Sequence, residues 1–177
     1  MIINIFTMNW KNLFLQLVLA IALLPTLPVL AQSESFVALS GNAYVTSASE
    51  GDVFIDENNC AIRNWNDSEA VISFYFRTEK SGKMNIALQA KGNSQIEVSL
   101  LGKKKKIKLD SDVLTRVKVG TFKVKTPGYV KVDIRGVKIN KGDDFGNVAA
   151  VVVDGSVAPV VYVGSDFSTH FGRRGPS

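Results

Sequence analysis

Residues 83–91 read KMNIALQAK and residues 94–102 read SQIEVSLLG, and these two stretches decide the fold. An apolar residue stands at every second position, from Met84 to Ala90 in the first stretch and from Ile96 to Leu100 in the second. A period of two with one apolar face is typical of a half-buried antiparallel strand. Residues 128–136, GYVKVDIRG, follow the same rule. The chain is therefore predicted to consist of antiparallel strands.

Short turn segments separate the predicted strands at intervals of about ten residues. They are SGNA, KSGK, KGNS, DSD, TPG, NKGDD and VDGS, and each contains the Gly, Asn, Asp or Pro residues that turns favour. Residues 148–155, VAAVVVDG, are apolar on both faces, which predicts a central strand. This organisation favours an all-β fold, an antiparallel β-sandwich or jelly roll of roughly nine to eleven strands.

The first thirty-one residues have the pattern of a secretory signal peptide. Lys11 precedes the apolar run LFLQLVLAIALLP, and the small residues Val29 and Ala31 suit a cleavage site after Ala31. The alternative is a retained membrane anchor, but Gln16 and two prolines interrupt the run. We therefore expect a cleaved signal peptide over 1–31, an exported protein, and no stable membrane insertion after cleavage.

The inventory of catalytic side chains is small. After residue 31 the chain has one histidine, His170, and one cysteine, Cys60. A metal cluster, a Ser/His/Asp triad and a Cys/His dyad all need more of these groups, so we predict a non-catalytic protein without catalytic residues. A single cysteine forms no internal disulfide, and Cys60 is expected to be buried rather than reactive.

The segment IRNWNDSE, residues 62–69, is the first candidate binding site. Trp65 lies among Asn64, Asn66 and Asp67. An aromatic plane can stack on the apolar face of a sugar ring while amides and carboxylates bond its hydroxyl groups. The alternative interpretation makes Trp65 a core residue and the polar group a turn.

Two further segments carry candidate ligand groups. Residues 40–47, SGNAYVTS, add Asn42 and Tyr44 to the predicted sugar site, with the same two interpretations. In NKGDDFGN, Asp143 and Asp144 are oxygen donors that would suit a structural calcium ion, the one cofactor the sequence suggests. Their spacing matches no defined calcium loop, and a plain turn is the alternative.

Residues 103–141 carry thirteen basic and three acidic side chains, a net charge of +10. The basic residues considered as a face are Lys103 to Lys106, Lys108, Arg116, Lys118, Lys123, Lys125 and Lys131. Such a face could hold an acidic polysaccharide, lipopolysaccharide or nucleic acid. Nucleic acid is disfavoured by export and because no aromatic residues are interleaved among the lysines. The alternative is a solvated face whose lysines prevent edge-to-edge pairing.

Two long stretches, residues 39–92 and 117–137, resemble the family catalogued as domain of unknown function number 5077. The motifs that carry the resemblance are Gly41-Asn42-Ala43, Asn64-Trp65, Val119-Gly120-Thr121-Phe122 and Pro127-Gly128-Tyr129-Val130. The similarity extends over about residues 36–164. It implies a carbohydrate-binding-like β-sandwich, found in exported proteins of Bacteroidetes and related bacteria. It supplies no catalytic residues, and its sugar-binding role is itself inferred from fold.

In that family the module typically precedes a second domain, catalogued as unknown function number 3472. Residues 171–177, FGRRGPS, resemble the join between the two, with Phe171 in place of the usual tryptophan. We therefore expect a sandwich module over 32–164, followed by 165–177 as a connector and the start of a downstream domain. Arg173 and Arg174 are expected to find their partners in that domain.

Two functional hypotheses follow. In the first, the chain is a non-catalytic module that binds extracellular glycan through an aromatic and amide surface. In the second, it is a packing module that supports a downstream domain. The second hypothesis predicts an exposed apolar patch near Tyr162, Phe167 and Phe171.

Overall fold

The computed structural model describes residues 33–46, 53–56 and 58–161. These residues form nine strands and one helical turn: β1 (Glu34–Ala38), α1 (Leu39–Asn42), β2 (Ala43–Thr46), β3 (Phe54–Asp56), β4 (Ala61–Arg63), β5 (Val71–Thr78), β6 (Gly82–Leu100), β7 (Lys103–Val124), β8 (Gly128–Ile139) and β9 (Asn147–Gly155). All strand pairs are antiparallel. The predicted all-β fold is confirmed. The predicted signal peptide and the connector 165–177 lie outside the described residues.

Strands β6 and β7 are longer than the sequence pattern predicted. The segments KGNS and DSD were predicted to be turns, but each lies inside a continuous strand, of 19 residues in β6 and 22 in β7. At KGNS the backbone bends instead of reversing. The register between the two strands shifts between Ala90 and Gly92, where Gly92 adopts a φ of 146° that only glycine takes readily.

The bend allows β6 to belong to two layers. One side of β6 pairs with β7 along almost its whole length. The other side pairs with β9 through residues 84–91 and with β8 through residues 94–99. The first layer therefore contains β1, β9, the N-terminal half of β6 and the C-terminal half of β7. The second layer contains β2, β5, β8 and the remaining halves of β6 and β7.

A single apolar core lies between the two layers. The residues at alternate positions that the sequence assigned to one face of β6 are buried, from Met84 to Ala90 and from Ile96 to Leu100. Strand β9 lies between β1 and β6, and its residues 150–153 are all buried. The predicted central strand is thus confirmed. Among the described residues, no helix has the length and apolar character needed to cross a membrane.

An arginine crosses the outer face of the first layer. Arg116 lies on β7, and its guanidinium bonds Asp154 of β9 at 2.7 Å and Glu34 of β1 at 2.6 Å. Hydrogen bonding to Glu34 is the main cause of a raised pKa of Arg116. This side chain joins the two edge strands of the layer, β1 and β7, across β9.

The small β3–β4 hairpin lies apart from the main strand order. Its turn contains Cys60, which is half-buried with a φ of 46°. Cys60 was expected to be buried, but the structure shows it only partly buried, in a left-handed turn position of the hairpin.

Candidate functional site

Trp65 is a core residue in this structure. Its side chain is 0% exposed, and its ring lies 5.4 Å from the ring of Phe145, tilted by 55°. The Phe145 amide donates a hydrogen bond of 2.8 Å to the Trp65 carbonyl oxygen. A fully covered ring offers no face for a sugar to stack on, so the core interpretation replaces the predicted binding role for Trp65.

The polar residues around Trp65 form its turn. Asn64 takes a left-handed φ of 55°, and its carbonyl oxygen accepts a hydrogen bond of 2.9 Å from the Asn66 amide. The Asp67 carboxylate accepts a bond of 2.7 Å from the Glu69 amide. These are the local bonds that Asn and Asp typically make in turns. Asn64 and Asn66 remain exposed, but the structure does not combine them with an exposed aromatic ring.

The other two predicted sugar ligands lie on a different part of the molecule. Asn42 is fully buried at the end of α1. Tyr44 is half-buried on the outer face of the second layer, where its ring meets Tyr75 edge-to-face at 5.6 Å. Trp65 and Tyr44 are therefore not exposed together, and the predicted six-residue site does not form as one surface.

A groove of about 540 Å³ lies at the end of the sandwich where β4, the β8–β9 loop and the bends of β6 and β7 meet. We call it the loop-end groove. Its lining includes Asn59, Arg63, Lys91, Asp112, Leu114, Asp144 and Asn147. Its volume is in the range of small-ligand sites, and it combines hydrogen-bonding groups with the aliphatic side chain of Leu114, which is 43% exposed.

Hydrogen bonds between distant segments build the loop-end groove. The Asn147 side-chain oxygen accepts a hydrogen bond of 3.0 Å from the Ile62 amide, which fixes β4 against β9. The Ser94 hydroxyl donates a bond of 2.6 Å to the Phe145 carbonyl oxygen, which fixes the β8–β9 loop on β6. Two segments that the sequence singled out separately, IRNWNDSE and NKGDDFGN, therefore meet at this groove.

The charged groups of the loop-end groove are balanced. Two cations, Arg63 and Lys91, line it together with two carboxylates, Asp112 and Asp144. Arg63 forms an ion pair of 2.9 Å with Asp56, which is not one of the lining residues. Hydrogen bonds from Asn59 and then from Arg63 hold the pKa of the Asp56 carboxyl below its ordinary value of 3.8. A groove with this balance suits a neutral polar ligand better than a polyanion.

The two aspartates suggested for calcium are exposed in the β8–β9 loop. The Asp144 carboxylate already accepts a hydrogen bond of 2.9 Å from the Gly146 amide, which is turn chemistry. In the part of the chain that the structure describes, no three His, Cys, Asp or Glu side chains lie close enough to hold a metal ion. A calcium site at Asp143 and Asp144 stays a prediction.

The basic run does not form one face. Lys103 to Lys106 and Lys108 lie on the edge strand β7 within the second layer, whereas Arg116, Lys118 and Lys123 belong to the first layer. Arg116 is already bound to two carboxylates there. The bend of β7 thus divides the predicted surface into two parts with different surroundings.

Sequence reasoning missed most residues of the loop-end groove. Asp112 lies in a segment that was predicted to be a turn, Lys91 lies where a predicted strand meets the predicted turn KGNS, and Leu114 was given no role. One signal was present. The apolar positions of β6 keep the same even numbering on both sides of KGNS, which indicates one bent strand rather than two.

Residues 37–158 match the family model of DUF5077, described as a domain of unknown function. The chain belongs to the DUF5077 family. The match spans most of the described residues and confirms the resemblance seen in the sequence motifs. The comparison with curated proteins found no match.

Solved structures with a similar fold include carbohydrate-active proteins. This DUF5077 domain superposes on the GH26-CBM35 β-(1,4)-mannanase of Podospora anserina with a TM-score of 0.51 and 12% identity, over 71% of this chain and 28% of the mannanase. A family 35 carbohydrate-binding module of Clostridium thermocellum superposes with a TM-score of 0.46 and 13% identity, over 68% of this chain and 97% of the module. A family two carbohydrate esterase of Cellvibrio japonicus superposes with a TM-score of 0.46 and 19% identity, over 71% of this chain and 34% of the esterase.

The DUF5077 chain thus spans about a third or less of the mannanase and esterase chains. At 12% identity the mannanase match speaks for the fold alone. The molecule is an antiparallel β-sandwich, and part of this mannanase has a similar fold.

Proposed function

We propose that this DUF5077 domain is a non-catalytic, exported module that binds glycan in the loop-end groove. The observation that carries the proposal is the groove itself, a concavity of about 540 Å³ with hydrogen-bonding side chains of both charges around an exposed leucine. Sugar hydroxyl groups both donate and accept hydrogen bonds, so they suit a surface that offers carboxylates, amides and cations together.

Three other features support the proposal. The fold is similar to that of part of a GH26-CBM35 β-(1,4)-mannanase, a protein that includes a family 35 carbohydrate-binding module. The signal-peptide pattern of residues 1–31 would bring the protein to an extracellular glycan. The small catalytic inventory favours binding over chemistry.

The balanced charge of the loop-end groove favours a neutral glycan. Affinity electrophoresis of the protein through gels containing mannan, xylan, β-glucan or neutral dextran would test this. We expect retardation by at least one of these polysaccharides, reversed by soluble oligosaccharide and insensitive to salt between about 50 and 300 mM, because little net charge is neutralised. Migration unchanged in every gel, with folding verified by circular dichroism, would refute a glycan-binding role.

A role in supporting a downstream domain is the second candidate. The residues first suggested for its contact patch, Tyr162, Phe167 and Phe171, lie outside the described residues. One observation still favours it, since Tyr129 (66% exposed) and Val161 (49% exposed) flank Arg77 on one face of the second layer. Longer versions of the protein that include the downstream domain would protect the Tyr129 backbone amide from hydrogen exchange if this role is correct.

A further inference from the structure

We propose that a shallow furrow on the outer face of the second layer binds a linear anionic polysaccharide, at a site separate from the loop-end groove. The furrow runs along the C-terminal half of β6, between β8 on one side and β7 on the other, and we call it the β6 furrow. The strand register places three rows across it: Lys138, Gln95 and Lys108; Arg135, Glu97 and Lys106; Asp133, Ser99 and Lys104.

Directly opposed residues of an antiparallel pair project from the same face, so all nine side chains belong to one surface. The five basic side chains are exposed. Five cations and two carboxylates, Glu97 and Asp133, give the β6 furrow a net charge of +3. Part of it is a groove of about 370 Å³, with Lys104 and Arg135 on its walls and Glu97 and Ser99 on its floor.

Protection of the sheet edge does not account for this arrangement. Lysines that block edge-to-edge pairing are needed only on an exposed edge strand, which β7 is. Arg135 lies on β8 where that strand pairs with both β5 and β6, and it faces the same furrow. Lys138 lies beyond the β5 pairing, on a part of β8 that pairs with β6 alone, and faces the furrow from the same wall. Edge protection therefore does not explain Arg135, and an anionic ligand lying between β7 and β8 provides an explanation.

Glu97 organises the walls of the β6 furrow. Its carboxylate, only 12% exposed, forms ion pairs with Lys104 at 3.2 Å and Arg135 at 3.4 Å. These bonds hold one cation of each wall in place. Lys106 and Lys138 form no ion pair with any residue that the structure describes, so their charges are available to a ligand.

The dimensions and the floor of the furrow favour a polysaccharide. Strand spacing sets the two walls about 9.6 Å apart, and the three rows extend about 13 Å along β6. The floor offers an amide at Gln95 and a hydroxyl at Ser99, which suit sugar hydroxyl groups. No aromatic side chain is among the nine, and single-stranded nucleic acid is normally held by stacking on aromatic rings.

Affinity electrophoresis with four probes tests the proposal: polygalacturonate, dextran sulfate, neutral dextran and a single-stranded oligonucleotide. We expect binding to polygalacturonate or dextran sulfate that weakens with salt, and the two probes distinguish a carboxylate from a sulfate preference. The Lys106→Gln/Lys138→Gln variant should lose affinity at least about tenfold. The charge-matched control Lys118→Gln/Lys123→Gln, in the first layer, should bind like the original protein.

Three outcomes would overturn the inference: no anionic polysaccharide is bound at about 50 mM salt, both double variants lose the same affinity, or the oligonucleotide binds as tightly as the polysaccharide. The third outcome would instead indicate a nucleic-acid surface. None of the four substituted lysines lines the loop-end groove. Retention by neutral polysaccharides therefore tests glycan binding in the loop-end groove. Binding of the anionic probes tests the β6 furrow separately.

Discussion

At the scale of single residues, the segment around Trp65 allowed two opposite interpretations, a sugar-binding site and a core residue in a turn. Only long-range contacts distinguish them. Trp65 among amides resembles a sugar-stacking group, but its partner Phe145 comes from the β8–β9 loop, far along the chain. Gly136 makes room for this pair, since a side chain there would collide with the Phe145 ring. No local pattern in the sequence encodes that contact, which is why the two interpretations stayed open.

Tryptophan fluorescence tests the position of Trp65. In a Trp10→Phe variant, Trp65 is the only tryptophan of the chain. We expect blue-shifted emission and little quenching by iodide, because the ring is fully buried. Addition of any bound glycan should leave the spectrum unchanged. Strong quenching, or a spectral shift on glycan binding, would restore Trp65 to the binding surface.

At the scale of elements, the bend in β6 determines where the loop-end groove forms. A Cβ atom on Gly92 would lie 2.8 Å from the Phe145 carbonyl oxygen and 2.9 Å from the Gly146 Cα. The strand can therefore approach the β8–β9 loop only because residue 92 lacks a side chain. The same bend carries β6 from one layer to the other, so one glycine contributes to both the fold and the groove.

We expect Gly92→Ala to reduce the free energy of unfolding by about 2–4 kcal/mol. The loss has two causes, because alanine is strained at this positive φ and its Cβ atom would collide with the β8–β9 loop. Gly142→Ala is the matched control, since Gly142 has a φ of 87° but open space around its Cα. It should lose only about 1 kcal/mol. Chemical denaturation measures both values. Equal losses would show that the close contact at Gly92 contributes nothing.

The β3–β4 hairpin should respond to acid through Asp56. Its pKa is lowered in the folded protein, chiefly by Asn59 and then by Arg63. The resulting stabilisation is complete above the ordinary value of 3.8 and is lost as the pH falls through the lower, folded-state pKa. We expect an NMR titration of the Asp56 carboxyl carbon to give a midpoint below 3.8, and Asn59→Ala to raise it more than Arg63→Gln does. A midpoint at or above 3.8 in the unsubstituted protein would contradict this.

At the scale of the whole molecule, the sequence predicted the fold well and the site poorly. Alternating apolar residues and turn spacing are local signals, and they were enough for the all-β sandwich and the central strand β9. The loop-end groove depends on where β4, β6, β7 and the β8–β9 loop meet. Asn147 illustrates the limit, since its bond to Ile62 joins residues 85 positions apart.

The division of charge is also a property of the whole molecule. The basic run of residues 103–141 is continuous in sequence, but the bend of β7 assigns its parts to two layers. One part neutralises carboxylates across the first layer, and the other part lines the β6 furrow. A charge count along the sequence could not separate these roles, because the separation arises from strand register.

Binding in the loop-end groove is tested by comparing glycan affinity for two double variants of the protein. Asp112→Ala/Leu114→Ala alters two exposed residues of the loop-end groove, and Glu79→Ala/Leu101→Ala alters two exposed residues elsewhere. With the neutral polysaccharide that retards the protein most, we expect the groove variant to lose affinity about tenfold or more and the control to keep it. Equal affinity of the two folded variants would contradict binding in the loop-end groove.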